Sequence, residues 1–231
     1  MLRQKFAVQS IVDVRIQESS QGIGYLKLEQ FAESTTQELD QALMKLHRQG
    51  MKSLILDLRG NPGGLLTTAI SVSDRFLSGG TIVATRGRTP DDHSVEAAHS
   101  ANTWKMPLVV LLDRKSASAS EIFAAAIQDH HRGLIIGEKS YGKGTVQTLF
   151  PLQTFPAALR LTTAKFYSPE GREMSGTGVT PDIKVDAGQK AEIAPRDQVL
   201  DAALRQLVGP RKQSLEKRIQ RSGAIVNPLI V

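Results

Sequence analysis

Short apolar runs alternate with segments of helical periodicity in this sequence, and that alternation constrains its fold most. Residues 54–58 and 108–112 form runs that are almost wholly apolar, as expected of strands buried on both faces of a parallel sheet. An apolar stripe at helical spacing follows the first run at 66–77, and an Ala-rich segment follows the second at 121–129. Strands that alternate with helices predict an α/β fold, with a mostly parallel β-sheet and covering helices.

Further elements extend this core on either side. Residues 1–30 are rich in β-branched side chains and predict strands, and Thr35 and Glu38 have the spacing of a capping box at a helix start. A polar stretch at 189–195, which ends in a proline, predicts a boundary. We therefore expect a core at 1–187 and a basic helical C-terminal appendage at 188–231. Additional strands are predicted at 81–85, 133–137, 145–150, 159–166 and 180–185.

Composition excludes several classes of protein and of site. The 231 residues include no cysteine, so disulfides and thiolate metal sites are excluded. No run approaches the roughly 18 apolar residues of a membrane span, and the start turns polar too soon for a signal peptide. The net charge is +6, but the basic excess lies mostly beyond residue 204 and aromatic residues are few. We therefore expect no nucleic-acid partner.

Two short motifs predict nucleophilic chemistry. The first is the serine cluster SASAS at 116–120, placed where the strand at 108–112 should turn into a helix. The second is GKG at 142–144, whose Lys143 lies 25 residues after Ser118. A serine needs a base to take its proton, and a desolvated lysine with few acidic neighbours is one of the few side chains that can do so. Gln147, four residues after Lys143, would orient the amine without adding charge.

A glycine-rich loop supplies the expected partner of the serine cluster. The segment RGNPGG at 59–64 follows the strand at 54–58, and ligands of open α/β sheets bind at the carboxyl ends of strands. Backbone N–H groups of this loop and of the helix start after the serines would form a minimal oxyanion hole. The same residues also have a simpler structural interpretation, because serines before helices are commonly N-caps and paired glycines commonly form tight turns.

Other chemistries fit the sequence less well. Residues 137–143 have the spacing of a phosphate-binding Walker loop, but Gly144 stands where the Mg²⁺-binding Ser or Thr is required. The five histidines lack partners at metal-ligand spacing, and His130 and His131 end a predicted helix, where they would compensate its dipole. We expect no metal site.

Four motifs together resemble the carboxy-terminal processing, or tail-specific, serine proteases. They are DLRGNPGG at 57–64, SASASEI at 116–122, GKGTVQ at 142–147 and GVTPD at 178–182. The resemblance covers about residues 23–185 and implies a Ser-Lys protease on a crotonase-like, ClpP-like core that cuts proteins near their C-termini through an acyl-enzyme. On this chain it makes Ser118 the nucleophile, Lys143 the general base and Gln147 its support. The oxyanion amides would be those of Gly64 and Ala119.

The resemblance also implies partners and a location. The expected partners are protein or peptide substrates with apolar C-termini, in the periplasm or cell envelope, with no cofactor. Proximity to a membrane and homo-oligomerisation are further expectations. Family members usually carry a PDZ domain that captures the substrate's C-terminus, and this chain has no room for one. It would then be an excised protease core or a naturally PDZ-less form.

Alternatives to an active endopeptidase stay open. A non-catalytic module on the same fold would bind an apolar ligand or a peptide, but it has no use for Ser118, Lys143 and Gln147 together. A scaffold whose activity depends on missing parts is compatible with every motif. The apolar end at 225–231 is expected to dock on its own core or to add a strand, and the alternative is that it occupies the active site of a neighbouring molecule like a substrate.

Overall fold

The computed structural model describes residues 9–99, 103–186 and 197–222, which form two β-sheets and five α-helices. The strands are β1 (Ile11–Glu18), β2 (Ile23–Leu28), β3 (Ser53–Asp57), β4 (Thr81–Gly87), β5 (Ser94–Ala97), β6 (Leu108–Leu112), β7 (Leu134–Gly137), β8 (Thr145–Pro151), β9 (Ala158–Tyr167) and β10 (Ile183–Lys184). The helices are α1 (Thr35–Arg48), α2 (Leu66–Ser73), α3 (Ala119–Asp129), α4 (Gln198–Gln206) and α5 (Gly209–Ser222).

The larger sheet has six strands in the order β1-β2-β3-β6-β7-β10. The pairings from β2 through β10 are all parallel, and only the pairing of β1 with β2 is antiparallel. Strands β3 and β6 are fully buried, as their apolar sequences predicted. The predicted α/β class, with helices connecting parallel strands, is confirmed.

Both faces of this sheet are covered. Consecutive residues of β3, such as Leu54 and Ile55, belong to two different apolar clusters, because successive side chains of a strand face opposite sides of the sheet. Helices α1, α2 and α3 cover the first face. Helix α4 covers the second, where Val199, Ala202 and Ala203 are buried.

The packing of α4 bears on the predicted C-terminal appendage. The segment predicted to be helical contains α4 and α5, and α4 packs against the second face of the sheet. The predicted domain boundary after residue 187 falls outside the described residues and stays a prediction. The apolar segment at 225–231 also lies outside them, so where it docks stays a prediction.

A second, smaller sheet was not predicted. Its order is β5-β4-β9-β8, and all its pairings are antiparallel. The sequence predicted strands at the positions of β4, β8 and β9, yet gave no sign that they leave the parallel sheet. Strands β8 and β9 form a hairpin that begins directly after the GKG motif.

The predicted capping box at Thr35 and Glu38 is wrong. Thr35 is the first residue of α1, and Ser34 occupies the N-cap without a side-chain capping bond. The Glu38 carboxylate instead accepts the N–H groups of Ser10 (2.8 Å) and Ile11 (2.9 Å). It therefore ties the helix to the start of β1. No helix among the described residues is long and apolar enough to cross a bilayer.

Candidate active site

Two loops leave the carboxyl ends of neighbouring strands and form the base of the candidate site. Strands β3 and β6 pair in parallel, so the segments that follow them begin side by side. Asn61, in the glycine-rich loop, joins the two segments: its carbonyl oxygen accepts the Ala117 N–H (3.0 Å) and the Ser120 hydroxyl (3.1 Å). The glycine-rich loop and the serine cluster are thereby brought into contact.

The three serines of the cluster have different environments. Ser116 and Ser120 are fully buried, and their hydroxyls donate to the carbonyl oxygens of Leu58 (2.9 Å) and Asn61 (3.1 Å). Ser118, at the N-cap of α3, is half-buried and is the one member of the three that reaches solvent. It is therefore the serine that a substrate can reach, although its role as nucleophile stays a prediction.

Ser118 has a strained backbone. Its φ of 56° and ψ of −114° form a combination that residues other than glycine seldom adopt, at a cost on the order of 1–3 kcal/mol. Hydrogen bonds hold the turn in place, because the Ser118 carbonyl oxygen accepts the N–H groups of Glu121 (2.9 Å) and Ile122 (3.0 Å). A strained turn between a strand and a helix is one way in which a protein projects a nucleophilic hydroxyl.

The Glu121 carboxylate connects the serine turn to the lysine loop. One of its oxygens accepts the N–H groups of Ser118 (2.8 Å) and Lys143 (2.9 Å), and the other accepts the Gly142 N–H (2.6 Å) and the Ser140 hydroxyl (2.5 Å). The side chain is 1% exposed and has no ion-pair partner within the described part of the chain. A single buried carboxylate therefore holds the backbones of the two predicted catalytic residues together. Sequence reasoning missed this role.

Lys143 is half-buried in the loop before β8. The loop is fixed on its far side, where the Gly144 carbonyl oxygen accepts the Phe166 N–H (2.8 Å). A Cβ atom on Gly144 would lie 2.1 Å from the backbone nitrogen of Ser175, so no larger residue fits there. This close approach explains why a glycine follows the lysine.

Gln147 lies on β8 and is exposed. The strand begins at Thr145, so its side-chain alternation does not extend back to Lys143. Among the hydrogen bonds of the described residues, none joins Gln147 to the lysine amine. The supporting role of Gln147 stays a prediction.

The glycine-rich loop touches the serine turn through its backbone. A Cβ atom on Gly63 would lie 2.8 Å from the Cβ of Ser118 and 3.0 Å from the nitrogen of Ala119. Within the described part of the chain, the N–H groups of Gly64 and Ala119 take part in no hydrogen bond. Two N–H groups without partners therefore lie on adjoining turns beside the accessible serine, and their role as an oxyanion hole stays a prediction.

Gly64→Ala tests this arrangement. The new Cβ would lie 2.1 Å from the carbonyl oxygen of Phe31, a backbone atom that cannot yield cheaply, so the loop must shift. We expect turnover to fall about 10²–10³-fold, the usual loss for one oxyanion donor. The matched control is Gly60→Ala, which also has a positive φ (+78°) but meets nothing within 4 Å. Steady-state kinetics that show equal losses in both variants would contradict the assignment.

An ion-pair network that the sequence did not predict holds the start of the glycine-rich loop. Arg59 contacts the buried Asp57 (Nη2 to Oδ2, 2.6 Å) and Asp197 (Nη2 to Oδ2, 2.8 Å). The Tyr25 hydroxyl donates to Asp57 (2.8 Å), and burial followed by the Asp57 charge raises the Tyr25 pKa. Asp197 caps α4 by accepting the Leu200 N–H (3.0 Å). Helix α4 is thus tied to the loop that leads to Gly64.

Asp197→Asn separates this ion pair from helix capping, because asparagine caps helices about as well as aspartate. Burial raises the Asp197 pKa, but the hydrogen bonds and charge of Arg59, together with the N–H groups of Leu200 and Val199, outweigh burial and hold the pKa below 3.8. The contribution of Asp197 to stability is therefore present above pH 3.8 and is lost as the pH falls through the lower folded-state value. We expect the variant to lose about 1 kcal/mol at pH 7, since the pair is partly exposed.

Urea unfolding at several pH values measures this difference. The gap between Asp197→Asn and wild type should shrink as the pH falls below 3.8. Glu173→Gln is the control, because it breaks the more exposed pair with Lys165 and should leave stability unchanged. A gap that persists unchanged at low pH would contradict the ionic origin of the effect.

Two of the histidines have structural contacts through their rings. The His130 ring nitrogen Nε2 lies 2.7 Å from the Thr81 carbonyl oxygen, and the His47 ring packs edge-on against Trp104. In the ranges that the structure describes, no group of three or more His, Cys, Asp or Glu residues is arranged to hold a metal ion.

This chain is similar in sequence to known peptidases. The profile of Peptidase family S41 matches residues 22–185. The chain is 50% identical over 169 residues to a carboxy-terminal-processing protease of Bartonella bacilliformis, covering 71% of this chain and 39% of that protein. It is 41% identical over 192 residues to a carboxyl-terminal-processing protease of Synechocystis sp., covering 82% and 44%.

A solved structure is also similar. The photosystem II D1 C-terminal processing protease superposes with a TM-score of 0.69 at 30% identity, covering 91% of this chain and 55% of that chain. The chain spans less than half the length of the two curated relatives it matches.

Proposed function

This chain belongs to Peptidase family S41, and we propose that it is a serine endopeptidase that cleaves polypeptides near their C-termini. One observation carries the proposal: a single Glu121 oxygen accepts the N–H groups of both Ser118 and Lys143. This bond brings the one accessible serine of its cluster next to a half-buried lysine. The names of the similar proteins support the preference for C-termini.

The proposed reaction has two stages. The Ser118 hydroxyl attacks the scissile carbonyl carbon while the uncharged Lys143 amine, oriented by Gln147, takes its proton. The N–H groups of Gly64 and Ala119 stabilise the oxyanion of the tetrahedral intermediate. Lys143 then gives the proton to the leaving amine, which leaves an acyl group on Ser118. Water, deprotonated by Lys143, attacks the acyl carbon, the bond to the Ser118 oxygen breaks, and Lys143 returns the proton to that oxygen as the carboxylic acid product leaves.

The contacts of the nearest carboxylate support the role of Lys143 as base, because none of its hydrogen bonds in the described structure is to the lysine amine. Glu121 is the acidic residue nearest in the hydrogen-bond network, but its two oxygens already accept four donors, of which two are the N–H groups of Gly142 and Lys143. The carboxylate is therefore engaged with neutral donors around the lysine rather than with the amine itself.

Finer features of the chain are part of the same proposal. We propose that the core is of the crotonase-like, ClpP-like type and that the protein works outside the cytoplasm, in a periplasm or cell envelope. Its partners would be protein or peptide substrates with apolar C-termini. Membrane proximity and self-association belong to the same expectation, which is founded on the family resemblance.

Cleavage mapping tests the proposed function. An unfolded protein with an apolar C-terminus is incubated with wild type and with Ser118→Ala, and the fragments are identified by mass spectrometry. We expect cuts close to the C-terminus with wild type alone. Equal cleavage by both would end the proposal, and tight binding without any cleavage would favour the non-catalytic binding module.

A further inference from the structure

Strands β8 and β9 form a two-stranded ribbon with an unusual concentration of exposed apolar side chains. Of the ten large apolar side chains that are exposed in the described structure, six lie between residues 149 and 161. Single exposed apolar residues are common on protein surfaces, but a contiguous patch marks a site of interaction. The six are Leu149, Phe150, Leu152, Phe155, Leu159 and Leu161.

Three of these side chains share one face of the ribbon, which we call the apolar face: Phe150, Leu159 and Leu161. The strand register pairs Phe150 with Leu159 and Thr148 with Leu161, and directly paired residues lie on the same face. The three are 43%, 50% and 50% exposed. Val146, on the same side of β8, still packs against the core. The apolar face therefore continues the core-facing side of β8 beyond the end of the core.

The edge of the ribbon is also unprotected. Strand β8 is the last strand of its sheet and pairs only with β9 among the described strands. Exposed edges usually carry charges that prevent association with other chains, but β8 has the sequence TVQTLFP and no charged residue. An extended polypeptide can add to such an edge through its backbone and place alternate side chains against neighbouring apolar groups.

The ribbon is continuous with the candidate active site. Strand β8 begins two residues after Lys143, and the Lys143 N–H is held by the carboxylate that also holds Ser118. A peptidase must bind several residues of extended chain on at least one side of the scissile bond. A polypeptide bound at Ser118 that ran past Lys143 along the direction of the chain would meet the ribbon next.

We propose that the apolar face is the docking surface for the polypeptide substrate and that it selects segments rich in apolar side chains beside the scissile bond. This inference rests on the proposed function. Two other occupants are distinguishable in the test: a second copy of this chain, and a part of the protein outside the described residues.

Binding measurements on the inactive Ser118→Ala protein test the docking surface without requiring catalysis. The probes are two labelled, unstructured peptides of equal length, one rich in Val and Leu and one rich in Ser and Gln, and the readout is fluorescence anisotropy. Phe150→Thr, Leu159→Thr and Leu161→Thr combined should weaken binding of the apolar peptide about tenfold or more. Threonine preserves strand propensity, and Phe150→Thr alone should act in the same direction with a smaller effect.

Two exposed apolar residues provide matched controls. Leu149→Thr changes the opposite face of the same ribbon, and Val95→Thr changes β5, the other edge of the same sheet. They are 63% and 67% exposed, more than any member of the apolar face. Both controls should leave the affinity for the apolar peptide within about twofold of the parent.

Three results would overturn the inference. The first is unchanged affinity in the triple variant, and the second is equal affinity for the apolar and polar peptides. The third is sedimentation of the parent as a dimer and of the triple variant as a monomer, which would assign the face to a second copy.

If a segment outside the described residues covers the face, the triple variant binds the peptide no more weakly than the parent. A protein that binds through this face but cuts nothing would refute the proposed function and keep the docking surface.

Discussion

Ser118→Ala and Lys143→Arg should both abolish peptide hydrolysis. Alanine removes the nucleophile, and arginine keeps the positive charge and the reach of the side chain but cannot give up its proton at any accessible pH. We expect the turnover number to fall at least about 10³-fold in each variant, as when one member of a catalytic unit is removed. Steady-state kinetics on a short peptide would measure the loss, and the fall should be no larger when both changes are combined.

Lys139→Arg is the control for the lysine, because Lys139 is exposed and only four residues earlier in the chain. It should keep wild-type turnover. Activity in Lys143→Arg close to that of wild type would show that the lysine supplies a fixed charge or a hydrogen bond and not a base. Loss of binding of an uncleaved peptide in Ser118→Ala would show instead that the serine change disturbs the fold of the site.

Glu121→Gln should have the second-largest effect. Each Glu121 oxygen accepts two hydrogen bonds. In the glutamine variant an NH₂ group replaces one of these oxygens, and because that group can only donate, it would face two other donors and leave them without an acceptor. Unsatisfied buried groups cost about 1–3 kcal/mol each, and the turns of Ser118 and Lys143 would lose their common anchor. We expect turnover to fall about 10²-fold, because small displacements of reacting groups are costly, with a lower melting temperature.

Glu138→Gln is the matched control, since Glu138 is half-buried and its one ion pair among the described residues is with the exposed Arg114, at 3.3 Å. It should change neither turnover nor melting temperature. Differential scanning fluorimetry and kinetics on the same samples separate the two effects. A folded Glu121→Gln protein with wild-type turnover would show that the bridge between the two loops is not required.

The sequence predicted the parts of the fold that local pattern determines. The runs at β3 and β6 are apolar on both faces, and the Ala-rich segment before His130 has helical periodicity, so each was placed within a few residues. The second sheet was missed because it depends on β4 pairing with β9, about 80 residues later in the chain. Such a pairing is decided by tertiary packing and leaves no local signal.

The packing of helix α4 was not anticipated from the sequence. The appendage was predicted from the polar stretch at 189–195, and that stretch does not reveal that α4 buries one side through Val199, Ala202 and Ala203. That spacing is itself helical, so the apolar stripe could have indicated a packed helix. The bond between Asp197 and Arg59 had no such signal, because the two residues are separated by 138 positions.

Some residues of the candidate site were visible in short motifs, and the roles of others depend on contacts that only the fold creates. Ser118 and Lys143 were found from short motifs, because small residues beside a nucleophile or a base are visible in sequence. Glu121 was visible only as the residue after the serine cluster, since its partners Gly142 and Lys143 reach it through the tertiary fold. Gln147 is exposed on β8 and no hydrogen bond joins it to the lysine amine among the described residues, so its supporting role stays a prediction from the motif.

Trapping the acyl-enzyme tests the central claim most directly. A peptide ester is mixed with the protein and quenched in acid within one turnover, and the site of acylation is mapped by mass spectrometry. We expect the acyl group on Ser118, with none on Ser116 or Ser120, and no adduct within the same time in Lys143→Arg. An adduct on another residue, or one that forms at an equal rate in Lys143→Arg, would contradict a Ser118 nucleophile activated by Lys143.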